Sequence, residues 1–141
     1  MVEDRILTFT HGLPAFEELR KFAIIDEEEN APFSHLQSLE NGDLAFILAN
    51  PFLFCPDYEF QLPESAIQEL DITSDQEVAV CAIVAVNDQL SDATINLLAP
   101  VVINTRTKQG KQVILHDTPY TTKHRLIPEQ GQSELNVIGG R

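Results

Sequence analysis

Three cationic side chains lie within six positions of each other: Arg106, Lys108 and Lys111. The chain has only nine Lys and Arg against 22 Asp and Glu, which gives a formal net charge of −13. Clustered cations can bind phosphate, but three of them neutralise at most about three phosphates. The surrounding negative charge opposes such binding, so direct nucleic-acid binding is not expected. Lys and Arg on a hairpin also protect a strand edge against pairing with other chains.

The histidines and cysteines lack the spacing of a metal or redox site. No HxH or HExxH pattern is present, and the two cysteines form no CxxC motif. These residues are His11, His35, His116, His124, Cys55 and Cys81. We therefore predict no metal and no cofactor, and we interpret the cysteines as buried, reduced thiols.

Two short segments contain groups used in nucleophilic catalysis, SH at 34–35 and CPD at 55–57. Neither lies in a nucleophile elbow, and the six glycines form no phosphate-binding loop. We therefore predict no catalytic residue. One alternative stays open, a small β-barrel hydrolase or isomerase in which His35 or His116 meets a carboxylate in the barrel mouth.

The charge is distributed unevenly along the chain. Residues 1–100 contain three basic and 19 acidic side chains, whereas residues 101–141 contain six basic and three acidic ones. This predicts a dipolar molecule with an acidic body. Such a surface disfavours anionic membranes and favours a basic protein partner by long-range attraction. Solubility alone would also explain the negative charge.

Most apolar residues alternate with polar ones or form short solid runs, which is typical of β-strands. Asn41-Gly42 predicts a tight hairpin turn, and the basic segment predicts a second hairpin that pairs 112–116 with 101–105. The predicted strands are 5–9, 22–25, 33–39, 44–48, 58–62, 77–86, 95–103 and 112–116.

Two short helices are predicted, at 16–22 and at 63–70, the second with proline at its start and acids in its first turn. About eight short strands with so few helices indicate an all-β, mainly antiparallel fold. Closing the sheet removes its edges, so we predict a small closed or nearly closed β-barrel.

The predicted barrel is one domain of residues 1–127, followed by a mobile C-terminal tail at 128–141. No apolar run is long enough to span a membrane, and the first residues do not have the pattern of a signal peptide. The sequence thus predicts a cytoplasmic protein.

Three phrases, in this order, resemble one family. They are FTHGLPAFEELRKFAII at 9–25, PFSHLQSLENGDLAFILANPFLFCPDYEFQL at 32–62 and ATINLLAPVVINTRTKQGKQVIL at 93–115. Their order and spacing resemble the FliW family of flagellar assembly factors over roughly residues 2–127. Ala15 departs from the family pattern, which usually has a glycine there.

The resemblance implies a non-enzymatic, cytoplasmic β-barrel that is a monomer when free. It also implies two protein partners, flagellin before export and CsrA, a dimeric RNA-binding regulator that represses flagellin translation. The freed factor would bind CsrA and relieve that repression. A flagellin export chaperone without a role in translation is an alternative.

Aromatic and acidic side chains are the candidate partner contacts. Phe52, Phe54 and Tyr58 lie close together between prolines, either as a buried cluster under a loop or as an exposed groove for a partner segment. The acidic candidates for steering a basic partner are Glu27, Glu28, Glu29, Asp43, Glu64, Glu69, Asp71 and Asp75.

The basic hairpin is the remaining candidate. We predict that Arg106, Lys108 and Lys111 face away from the basic groove of the regulator and orient its docking. Reversal of all three to glutamate is expected to leave the stability of the barrel unchanged.

Overall fold

Nine short strands of one sheet dominate the computed structural model, which describes residues 6–10, 12–13, 16–26, 33–86 and 92–126. Two short helices and a 3-10 turn at Asp75–Glu77 accompany them. The strands are β1 Ile6–Thr8, β2 Lys21–Asp26, β3 Phe33–Ser38, β4 Ala45–Ala49, β5 Val78–Ala85, β6 Thr94–Ile95, β7 Val101–Asn104, β8 Gln109–Gln112 and β9 His124–Arg125. The helices are α1 Pro51–Phe54 and α2 Glu64–Glu69.

Seven of these strands close into a barrel. They follow the order β4-β3-β2-β1-β8-β7-β5, and β5 pairs back onto β4 through Ala49 and Ala82. Strands β6 and β9 extend the sheet beyond β5. Neighbouring strands are antiparallel, whereas β1 and β8 meet in parallel at Thr8 and Gln109. The predicted all-β, mainly antiparallel barrel is therefore confirmed.

The hairpin around Asn41-Gly42 is confirmed as well. Strands β3 and β4 pair across it, with Leu36 opposite Phe46. The Ser38 hydroxyl accepts hydrogen bonds from the main-chain N–H of Glu40 and Asn41, at 3.1 and 2.9 Å. These bonds satisfy donors that the turn removes from the strand ladder.

The second hairpin is tighter than predicted. Strand β8 begins three residues earlier than the predicted return strand, so that Val101 pairs with Gln112 and Asn104 with Gln109. Lys108 adopts a left-handed φ of 64°, which closes the turn in only four residues. Lys111 consequently lies within a strand rather than at the tip.

Local chemistry explains where the helices differ from prediction. Residues 16–22 form a turn that leads into β2 rather than a helix. Helix α1 was not predicted; it starts at Pro51, and the Asn50 side chain caps it by accepting the Phe52 N–H at 2.9 Å. Helix α2 is confirmed. In the described ranges, no helix is long and apolar enough to cross a membrane.

Apolar side chains fill the barrel and also cover one of its outer faces. Phe9 and Phe22 pack edge to face inside it, with ring centroids 5.4 Å apart. Gly110 lies against Phe9, and a Cβ atom there would come within 2.8 Å of the Phe9 ring. On the outside, Leu70 after α2 belongs to one buried cluster with Val102 of β7. The end of α2 therefore lies close to the hairpin formed by β7 and β8.

Candidate protein-binding surface

Residues 57–77 form an acidic segment with seven carboxylates and no Lys or Arg. It passes through α2 to the start of β5. Six of the seven carboxylates are exposed, and Glu77 is half-buried. The seven are Asp57, Glu59, Glu64, Glu69, Asp71, Asp75 and Glu77.

The basic hairpin binds this acidic segment of its own chain. The Arg106 guanidinium donates to Glu77 Oε2 at 2.9 Å, and it also donates to the main-chain oxygen of Asp71 at 2.8 Å. The Lys111 ammonium lies 2.9 Å from Glu69 Oε1. Two of the three clustered cations are therefore paired within the molecule.

Buried Asn104 fixes the geometry of this contact. Its amide nitrogen donates to the main-chain oxygens of Leu70 and Asp71, at 2.7 and 3.2 Å. Its Oδ1 accepts from the N–H groups of Arg106 and Thr107. One side chain thus joins the end of α2 to the turn of the hairpin.

Hydrogen bonding also shifts the proton affinities at this contact. The main-chain N–H of Thr73, followed by the Arg106 guanidinium, lowers the pKa of Glu77 below its ordinary value of 4.5. The hydrogen bond that Arg106 donates to Glu77 in turn raises the pKa of the Arg106 guanidinium. Both groups are therefore charged at neutral pH.

These contacts change what is expected when the charges of the basic hairpin are reversed. Arg106 and Lys111 neutralise their own chain, and Lys108 donates to the main-chain oxygen of Thr105 at 2.8 Å. Reversing all three cations would break the ion pairs and place like charges together. Unchanged stability is therefore no longer expected for that variant.

Four carboxylates of the acidic segment have no ion pair in the described part of the chain: Asp57, Glu59, Glu64 and Asp75. Two of them, Glu59 and Asp75, line an open groove of about 560 Å³. Half of the unpaired carboxylates of the segment thus lie at this groove, which we call the acidic groove.

Apolar side chains make up most of the groove. Its lining includes Phe52, Phe60, Leu62, Ile67 and Val80. Phe52 is 42% exposed, and its neighbour Leu53 is 63% exposed. Helix α1 thus raises two large apolar side chains out of the surface, which is typical of a protein-binding site.

Tyr58 forms a fixed support beneath the groove. Its hydroxyl donates to the main-chain oxygen of Leu97 at 2.7 Å, and its ring contacts Phe52, Phe60 and Tyr120 at centroid distances of 4.7 to 5.6 Å. Burial raises the pKa of Tyr58, so the phenol stays protonated. The acidic groove is therefore supported by a buried hydrogen bond.

A model of the FliW family, described as FliW protein, matches residues 1–126. The chain belongs to the FliW family. It is 42% identical over 132 residues to the flagellar assembly factor FliW of Caldicellulosiruptor bescii, covering 94% of this chain and 86% of the relative. It is 43% identical over 124 residues to that of Bacillus subtilis, covering 88% and 87%.

The fold of the chain also matches a solved member of the FliW family. A crystal structure of the flagellar assembly factor FliW superposes with a TM-score of 0.84 at 42% identity, covering 92% of this chain and 91% of that one. The resemblance found in the sequence is therefore confirmed, and so is the barrel fold.

The aromatic residues singled out in the FliW-like phrase PFLFCPDY divide between the two predicted alternatives. Tyr58 is buried. Phe54 is half-buried and stacks on Phe33 at 5.7 Å. Phe52 alone is exposed at the groove. The cluster is therefore partly core and partly surface.

The other predicted residues are placed as follows. Glu69 and Asp71 are exposed and are also ion-paired with the basic hairpin. The predicted contacts Glu27, Glu28 and Glu29, and the predicted tail at 128–141, lie outside the described residues. In the described ranges, no group of three or more His, Cys, Asp or Glu side chains is placed to hold a metal.

Sequence reasoning missed Leu62 and Ile67 as part of this surface. Leu62 was assigned to a strand and Ile67 to a helix, and only the tertiary fold brings both to the groove. The alternation at 58–62 was the available signal, because the structure keeps Tyr58 and Phe60 inward and Glu59 outward.

Proposed function

We propose that this FliW-family protein binds flagellin and, once flagellin is exported, binds CsrA and relieves repression of flagellin translation. It acts in the cytoplasm without catalysing a reaction. Membership of a family of flagellar assembly factors supports the flagellar role. The observation that carries the regulatory part is the acidic segment, in which four carboxylates remain unpaired, two of them at the groove, although the basic hairpin lies against this segment.

Such a surface attracts a basic RNA-binding protein, because RNA-binding proteins carry cationic patches that bind phosphates. Bound beside the RNA site, the unpaired carboxylates would repel incoming phosphates. Charges within roughly a Debye length, about 8 Å at physiological salt, still influence one another. The regulator then keeps its fold and loses affinity for RNA.

This coupling has to be reciprocal. If the protein weakens RNA binding by the regulator, RNA must weaken binding of the protein by the same factor. Flagellin removes the effect by occupying the protein, either at the same surface or through a conformation that excludes the regulator.

The test uses purified CsrA, a labelled flagellin leader RNA and the full chain. We expect the chain to raise the apparent Kd of the RNA complex, the effect to weaken with salt, and added flagellin to reverse it. Failure of the chain to change RNA binding at low salt would overturn the regulatory part. Flagellin binding without any effect on CsrA would identify an export chaperone only.

A matched pair of variants locates the surface. The first converts Asp57, Glu59, Glu64 and Asp75 to their amides. The control makes the same change at four exposed carboxylates outside the acidic segment, namely Glu18, Asp43, Asp92 and Asp117. Both variants make the net charge less negative by the same amount.

We expect the first variant to weaken antagonism of CsrA about ten-fold and the control to weaken it about two-fold or less, because nearby charges act most strongly. Equal losses in both variants would show that total charge matters rather than the acidic groove.

A further inference from the structure

Strand β5 has an edge that β4 leaves unpaired. The two strands pair through Ile47 with Val84 and Ala49 with Ala82. The next hydrogen-bonded pair in this register would place Pro51 opposite Val80. Proline has no N–H to donate, and the chain turns there into α1. The ladder therefore stops before Val80.

The direction of the main-chain groups of β5 follows from the bonds on its other side. Glu77 and Ile83 each accept a hydrogen bond through their carbonyl from the side of β7 and β6, from Thr105 at 2.7 Å and Asn96 at 2.9 Å. Main-chain groups alternate along an antiparallel strand. Those of Val78 and Val80 therefore point to the opposite edge.

Three of these groups have no partner within the described ranges: the Val80 N–H, the Val80 carbonyl and the Val78 carbonyl. The Val78 N–H is already used, because it donates to the Asp75 carbonyl. Unpaired main-chain groups at a strand edge are a template for another strand.

This edge opens into the acidic groove. Val78 and Val80 line the groove together with Phe52, Phe60 and Ile67. A smaller hollow of about 330 Å³ adjoins it at Val80. An added strand would thus find apolar contacts for alternate side chains as well as hydrogen-bond partners.

The charge of the groove restricts what can occupy it. Glu59 and Asp75 line it, and no Lys or Arg among the described residues does. The rest of the acidic segment adds Asp57 and Glu64 nearby in sequence. An occupant with positive charge at its ends is favoured over a neutral or acidic one.

We propose that the β5 edge at Val78–Val80 binds an extended segment of a partner protein as an added strand. The segment has apolar side chains at alternate positions and Lys or Arg at its ends. One partner residue exchanges two hydrogen bonds with Val80, and its neighbours place apolar side chains beside Phe60 and Ile67. This deepens the proposed function, on which it rests for the identity of the natural partner.

Hydrogen exchange of the Val80 amide, followed by NMR on the ¹⁵N-labelled full chain, tests the proposal. The probe is a synthetic peptide KVTVTVK with blocked ends, at about 2 mM, where weak complexes are populated. We expect chemical-shift changes around the groove and about ten-fold slower exchange of the Val80 amide. A peptide with glutamate in place of both lysines should bind about ten-fold more weakly.

Three results would overturn the proposal. The Val80 amide could already be protected in the free chain, which would show that another part of the chain covers the edge. The peptide could fail to bind at about 2 mM. It could also bind without protecting Val80, as an inserted helix would.

A matched pair of variants tests the groove side. Phe52→Ser should weaken peptide binding about five-fold, because it removes an apolar contact at the rim. Leu39→Ser removes a side chain of similar exposure, 50% against 42%, outside the groove and should leave binding unchanged. Equal weakening by both would contradict docking in the groove.

Full-length partners separate this proposal from the proposed function. If flagellin and CsrA both bind and neither protects the Val80 amide, strand addition is wrong and the proposed function stands. If the peptide binds with protection of Val80 but neither protein binds, the proposed partners are wrong and strand addition stands.

Discussion

The acidic segment borders two regions, the basic hairpin and the acidic groove, which contrast in how far their polar groups are satisfied. At the basic hairpin, Arg106, Lys111 and Asn104 pair with the acidic segment of the same chain. At the groove, carboxylates remain without cations, and the main chain of Val80 is without a hydrogen-bond partner among the described residues. The difference teaches that a cluster of charge in the sequence marks an internal contact as readily as a binding surface.

The largest effect is expected at the basic hairpin, where the polar groups are paired. Asn104→Ala removes four hydrogen bonds, one of them buried and three partly buried, and leaves the buried main-chain oxygen of Leu70 without this donor. We expect a loss of about 2–4 kcal/mol in the free energy of unfolding, measured by urea denaturation, since each unsatisfied group costs about 1–3 kcal/mol. Asn41→Ala, at an exposed turn, is the control and should cost much less. A small loss for Asn104→Ala would show that water replaces its bonds.

A smaller effect is expected beneath the groove. Tyr58→Phe keeps the ring contacts and removes the hydroxyl that bonds to Leu97. We expect a loss of about 1 kcal/mol in urea denaturation. Peptide binding in the groove should change little, because the ring still supports Phe52 and Phe60. A large loss of binding with unchanged stability would mean that the hydroxyl itself reaches the groove.

The smallest effect is expected from removing the positive charge of Arg106. Arg106→Gln removes the guanidinium that, after the Thr73 N–H, holds the pKa of Glu77 down. We expect an NMR titration to show this pKa closer to 4.5 in the variant than in the parent chain.

The sign of the linked pH effect follows from the lowered pKa. Ionised Glu77 stabilises the folded state at pH values above 4.5, its ordinary pKa. This contribution is lost as the pH falls through the lower pKa of the folded state. The parent chain should therefore lose more stability than Arg106→Gln on acidification below 4.5. Identical acid profiles would show that the Thr73 N–H alone sets this pKa.

Features set by neighbouring residues could be predicted from the sequence. The Asn41-Gly42 turn, helix α2 and most strands follow from local pattern and turn chemistry. The register of the second hairpin could not be predicted, because the buried side chain of Asn104 fixes it. Helix α1 was missed because four residues show no helical period, although Asn50 and Pro51 carry the capping signal.

The candidate surface was predicted only in part. Phe52 was identified from the spacing of aromatic residues between prolines. The unpaired edge at Val80 depends on where β4 leaves β5, and the pairing of Arg106 depends on where α2 docks. Both are contacts between residues far apart in sequence, which local patterns do not contain.

The parallel pairing of Thr8 with Gln109 also limits when the barrel can form. Most of the described chain lies between these two residues, so a nascent chain emerging from the ribosome has to hold β1 to β4 without their closing partners. Contacts between such distant positions are slow to form and leave strand edges open to aggregation in the meantime. Barrel closure thus becomes possible only after β8 has been synthesised.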